Sequence, residues 1–249
     1  MLDILLPVIF LAIILVMVHT YFGEKIIARG IIFTDLAIGQ IAAVGSSLSV
    51  AFFHGEYLYL FTLIFALLAS LLISLVIKRM ENIEAFIGLL YVLGASSVML
   101  ILTASPEGLE HFNALLAADI LFTSTEAIIE SSFIYLIVAL VILFVLPKLS
   151  GVLHEVLFFT LLAVVVTSSV QLAGVFVVFT LLIAPALIGL HLHKKRSYLV
   201  GVSSGVLFST IAIIASFYLD LPTGYAIVFL GAFSAICIML GKSFTSYEV

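Results

Sequence analysis

Residues 33 to 47, FTDLAIGQIAAVGSS, set Asp35 and Gln40 inside an otherwise apolar stretch. A carboxylate and a carboxamide there could do two kinds of work. Their oxygens could replace part of the water shell of a cation crossing the bilayer, since a carboxylate in mid-membrane is costly unless it faces the protein interior or a water-filled path. They could also serve structure alone, with Asp35 paired to Arg29 or Lys25 or finishing a helix N-terminus, and Gln40 bonded to a neighbouring helix. At about 100° per residue, the step from position 35 to position 40 turns roughly 140° around a helix, so the two do not form an ideal i, i+4 chelating pair. Gly39, Ala43 and Ser47, with Ala42 and Ser46 beside them, make a small-residue stripe that suits close helix approach, as does Gly201 to Gly205 in GVSSG. Pro185 removes a backbone hydrogen bond and should kink its span. The histidines at 19, 54, 111, 154, 191 and 193 show neither H-E-x-x-H nor Cys/His ligand spacing, and each reads as an interfacial side chain, His19 near a membrane edge.

The elements that must position these residues are membrane helices. Of the 249 residues, 65% are hydrophobic and 9% charged, far from the soluble balance of about one charged residue in four. The composition implies an all-α, polytopic membrane protein. Stretches of about twenty apolar residues fall near 4–22, 31–53, 58–77, 85–103, 127–146, 156–171, 174–190, 198–218 and 225–241. The sixth and seventh are short and divided by QLAG, so eight to ten spans fit. The first run is too long for a signal-peptide core and lacks a basic start, so it reads as a retained span.

Lys and Arg accumulate in cytoplasmic loops. With the N-terminus outside and the C-terminus cytoplasmic, Lys25, Arg29, Lys78, Arg79, Lys148, Lys194, Lys195, Arg196 and Lys242 all fall on one face. The other face carries Asp3, Glu56, Glu107, Glu110, Glu126 and Asp220 without a cationic side chain, a field that favours cations.

Several function classes drop out. No linker of useful length interrupts the chain, so residues 1–249 read as one transmembrane domain. The sequence contains no G-x-x-x-x-G-K-[ST] phosphate cradle, so ATP would be handled by another chain. It has no basic, aromatic-interleaved face for nucleic acid. A lone Cys237 allows no internal disulfide.

Four stretches in order resemble the membrane permease subunits of ABC importers for zinc, manganese and iron: FTDLAIGQIAAVGSSL, SPEGLEHFNALLAADILFTS, SVQLAGVFVVFTLLIAPALIGL and DLPTGYAIVFL. They span residues 30 to 240. The first is similar to the family's Asp-x-x-x-His-x-x-x-x-Gly helix, but its histidine is missing. Aligning on Asp35 puts Gly39 in its place, and aligning on Gly45 puts Gln40 there. An amide oxygen is a harder, weaker ligand for a transition metal than imidazole. The family's cytoplasmic coupling helix corresponds here to the short PKLSGVLHEVLFF, where His154 and Glu155 are what remains of a polar docking surface or else mark the membrane interface. The resemblance implies a non-enzymatic permease of the cell membrane without a bound cofactor, lining its path with Asp35 and Gln40. Its implied partners are a second copy of itself, a separate ATPase and an extracytoplasmic solute-binding protein, and its implied cargo is a divalent metal or chelate. The residues also leave open a stand-alone proton-coupled carrier and a membrane scaffold or sensor.

Overall fold

The computed structural model describes residues 2–103 and 120–245. Within them the chain forms α1 (Leu2–Arg29), α2 (Thr34–Phe53), α3 (Leu58–Val76), α4 (Ile83–Leu102), α5 (Thr125–Phe144), α6 (Gly151–Ala173), α7 (Val175–Leu192), α8 (Ser197–Leu219) and α9 (Thr223–Thr245), with single 3-10 turns at Ile120–Phe122, Leu146–Lys148 and Lys194–Arg196. Each of the nine α-helices is long and apolar enough to cross a bilayer. Helices are the open-chain solution there, because each backbone N–H is satisfied within its own segment.

Two places sharpen the hydropathy reading. α1 runs to Arg29 rather than residue 22, because Phe22 and Ile26 continue its buried face beyond the apolar run. It stops at Gly30, whose φ of 67° closes a helix C-terminus in the left-handed region. The QLAG stretch separates two helices: α6 ends at Ala173, α7 begins at Val175, and Gly174 between them has φ 82° and ψ 159°, a conformation essentially confined to glycine.

The chain packs as two compact units drawn from interleaved segments. The first contains α1, the turn at Ile120–Phe122, the start of α5 and α7 to α9. In α1, Leu5, Val8, Ala12, Leu15, His19, Phe22 and Ile26 are buried at alternating three- and four-residue steps, one continuous helix face. Close approach is built on small residues. A β-carbon on Gly205 would lie 2.6 Å from Val16 Cγ1 and 3.0 Å from Pro185 Cγ, and one on Gly201 would lie 2.6 Å from the Pro185 carbonyl oxygen. The Gly201/Gly205 pair is thus a packing face for α1 and α7, and Pro185 lies inside a helix that continues through it.

The second unit contains α2 to α4, the rest of α5 and α6 as far as Gln171. α2 packs against both α3 and α4. Gly45 admits the Phe61 backbone of α3 with no room for a β-carbon, and Gly94 of α4 lies against Gln40. Ser168 of α6 donates a hydrogen bond of 3.1 Å to the Tyr135 hydroxyl of α5.

All nine Lys and Arg residues lie in the last two turns of, or just beyond, α1, α3, α5, α7 and α9. The one-sided alternation therefore survives the exact helix boundaries. Glu56, Glu126 and Asp220 are exposed at the opposite helix ends; Glu107, Glu110 and His111 lie outside the described residues.

Candidate functional site

Asp35 occupies the first turn of α2 and is 2% exposed. Its Oδ1 is buried and has no hydrogen-bond partner among the described residues. The helix N-terminus offers partial positive charge, which favours a carboxylate there, yet one oxygen keeps its lone pairs unused. An unpaired buried acceptor carries a desolvation cost, so Asp35 is a place where the fold tolerates local disadvantage.

Gln40 is half-buried. A β-carbon on Gly94 would fall 2.9 Å from Gln40 Cβ and 3.0 Å from its carbonyl carbon, so α4 crosses α2 at this residue. Gly39, its neighbour, instead turns toward α6, where Val166 Cγ1 lies 3.9 Å from the position a β-carbon would take. The two residues competing for the family's histidine position therefore face different helices. Asp35 and Gln40 share α2 of the second unit but sit at different depths along it.

The N-terminus of α2 is finished by another helix. Phe33 makes no side-chain cap of its own; its N–H donates to Glu84 Oε1 at 3.2 Å, from the first turn of α4. Glu84 escaped the sequence reading because an acidic residue opening a span is ordinary, and only tertiary structure reveals which N–H it accepts.

His154 and Glu155 lie in the first turns of α6. Glu155 is 7% exposed, and its Oε1 is 3.2 Å from Lys78 Nζ, a residue just beyond α3. His154 Nδ1 is 3.9 Å from the same oxygen. The outward-facing part of this segment consists of the exposed Val152 and Leu153 with the partly exposed His154. His19, read as an interfacial side chain, is fully buried within the first unit, its Nδ1 donating to the Leu15 carbonyl at 2.8 Å. The three- and four-residue spacing of the α1 core stripe, which runs through position 19, is the signal that identifies it. Among the described residues no three His, Cys, Asp or Glu side chains are grouped to hold a metal ion.

The ABC 3 transport family model matches residues 1–242. A "probable iron transport system membrane protein" of Haemophilus influenzae is 27% identical over 167 residues. That match takes in 60% of this chain and 62% of the relative, so the chain spans less than two thirds of its length. Among solved structures, PsaBC from Streptococcus pneumoniae in complex with Fab superposes with a TM-score of 0.72 at 19% identity, covering 94% of this chain and 90% of that one. An inward-facing structure of a transporter described as metal-chelate ABC type gives a TM-score of 0.65 at 18% identity, covering 95% and 87%. At these identities the two structures speak for the fold. The family match runs through all nine apolar helices, and the chain accordingly belongs to the ABC 3 transport family, as a multi-pass protein of the bacterial plasma membrane.

Proposed function

We propose that this protein is the permease subunit of an ATP-driven importer, forming the path for a divalent transition metal (zinc, manganese or iron) or its chelate. The observation that carries the reading is the family match over residues 1–242, with Asp35 as the buried, incompletely satisfied carboxylate on a central helix of the second unit. A carboxylate oxygen that has given up water without gaining a partner can offset the dehydration of a cation arriving beside it. Gln40 would add an amide oxygen deeper in the same helix. Hard oxygen ligands suit manganese better than they suit zinc or iron, which imidazole also favours.

ATP hydrolysis belongs to a separate chain in this reading, because the sequence has no phosphate cradle. The α5–α6 segment is its docking site, with Val152, Leu153 and His154 as the outward surface and Glu155 as the buried anchor behind them. A second copy of the permease and an extracytoplasmic solute-binding protein complete the assembly. The N-terminus is outside, which puts the docking segment in the cytoplasm with the basic residues.

The test is reconstitution of the permease with its ATPase and binding protein in vesicles, followed by uptake of zinc, manganese and iron. ATP-dependent accumulation of at least one of them, free or chelated, is expected. Accumulation driven by a proton gradient and indifferent to ATP would replace this reading with the secondary-carrier one.

A further inference from the structure

Two polar contacts lie at the ends of a short surface loop. After α3, Lys78 reaches Glu155 at the start of α6 over 3.2 Å; at the loop's far end, Glu84 accepts the Phe33 N–H at the start of α2, also at 3.2 Å. Between these anchors Arg79, Met80, Glu81 and Asn82 are exposed, so the loop is held at its ends. The Lys78 contact is not an ordinary surface pair. The Glu155 side chain is 9% exposed against 58% for Lys78, and removing the cationic partner of a buried carboxylate costs more than breaking an exposed pair. The Glu84 contact is not an ordinary cap either, since it supplies from α4 the acceptor that Phe33 does not receive from an α2 side chain. α4 also crosses α2 at Gly94 and Gln40 too closely to admit a β-carbon, so the two helices meet at two levels.

We propose that the α3–α4 loop is a mechanical tie. Lys78 fastens it to the docking segment and Glu84 to the helix that carries Asp35 and Gln40, so displacement of α6 at its N-terminal end is delivered to α2. This rests on the assignment of the α5–α6 segment as the ATPase contact. Lys78 and Glu84 are then positioning residues for transport. Where α6 passes α2 at Gly39 the fit is looser, since Val166 Cγ1 lies 3.9 Å from the position that even an added β-carbon would take. Packed elements transmit a shift when they have discrete arrangements, and substitutions along such a route change coupling several-fold.

The experiment places a spin label at Leu153 or at Phe33, both exposed, in a Cys237→Ser background, and records spectra of the complex with its ATPase before and after trapping with ATP and vanadate. In the otherwise native complex both positions should respond. Lys78→Ala should keep the Leu153 response and abolish that at Phe33, and the charge swap Lys78→Glu with Glu155→Lys should restore it. Glu84→Ala should also silence Phe33, whereas Glu84→Gln, whose amide oxygen still accepts the N–H, should not. In vesicles, Lys78→Ala should lower metal uptake per ATP hydrolysed about fivefold. A Phe33 response that survives Lys78→Ala and Glu84→Ala overturns the tie while leaving the docking assignment intact. A native complex in which ATP leaves Leu153 unchanged overturns both, and that missing signal distinguishes the two failures.

Discussion

In the proposed path Asp35 is the residue most directly involved, and substitution separates its transport role from a purely structural one. Asp35→Asn keeps size and hydrogen-bonding capacity but removes the charge. If the carboxylate offsets dehydration of a cation, assembly with the ATPase should be unchanged while initial uptake rates fall at least about tenfold, equivalent to about 1.4 kcal/mol in the barrier. Normal uptake with lowered thermal stability would make Asp35 a helix-end residue only. Gln40→His supplies an imidazole and should tighten apparent affinity for zinc relative to manganese, read from uptake competition; an unaltered preference would place Gln40 in packing against Gly94. Sequence alone exposed both positions, because polar side chains stand out in an apolar run. It could not expose Glu84 or the Lys78–Glu155 pair, whose partners are distant along the chain and whose residue types are commonplace at helix ends. His154 and Glu155 were visible as polar residues, but not the division of labour in which Glu155 is buried and His154 faces outward.

At the scale of helices, the crossings are set by absent side chains. Gly94→Ala would put a β-carbon 2.9 Å from Gln40 Cβ, and overpacking of this kind costs about 1–3 kcal/mol. Gly88, on the same helix, has nothing within 4 Å of the equivalent position, so Gly88→Ala should stay within about 0.5 kcal/mol of the parent. Thermal unfolding in detergent, compared between the two, checks the prediction; equal midpoints would mean that α4 is free to shift on α2. Gly174→Ala, at φ 82° and ψ 159°, should cost about 1–3 kcal/mol by the same assay. Helix number was legible because hydropathy measures how long a segment stays apolar. Helix ends were less so: the buried stripe of α1 outlasts its apolar run by a full turn, and α6 begins at Gly151, within polar sequence.

For the whole molecule, the distribution of charge fixes the expected orientation. In a Cys237→Ser background, single cysteines at Lys78, Lys148 and Lys195 should be shielded from an impermeant thiol reagent in intact cells, and cysteines at Glu56 and Asp220 should be labelled. These positions are all exposed in the structure, so failure to label reports membrane sidedness rather than burial. Labelling of the lysine set would invert the topology and move the α5–α6 segment to the wrong side for an ATPase. The count of spans and the basic bias came from composition and order. The partition into two interleaved compact units did not, since α5 contributes to both and no change in composition marks where it passes from one to the other.

The hydrogen bond from Phe33 to Glu84 joins residues 51 apart in the chain. During synthesis the first turn of α2 emerges well before this acceptor exists, so the Phe33 N–H gains it only after α3 has been threaded and α4 begins. This fastening of α2 is therefore completed late, and a ribosome paused before residue 84 would hold an intermediate that lacks it.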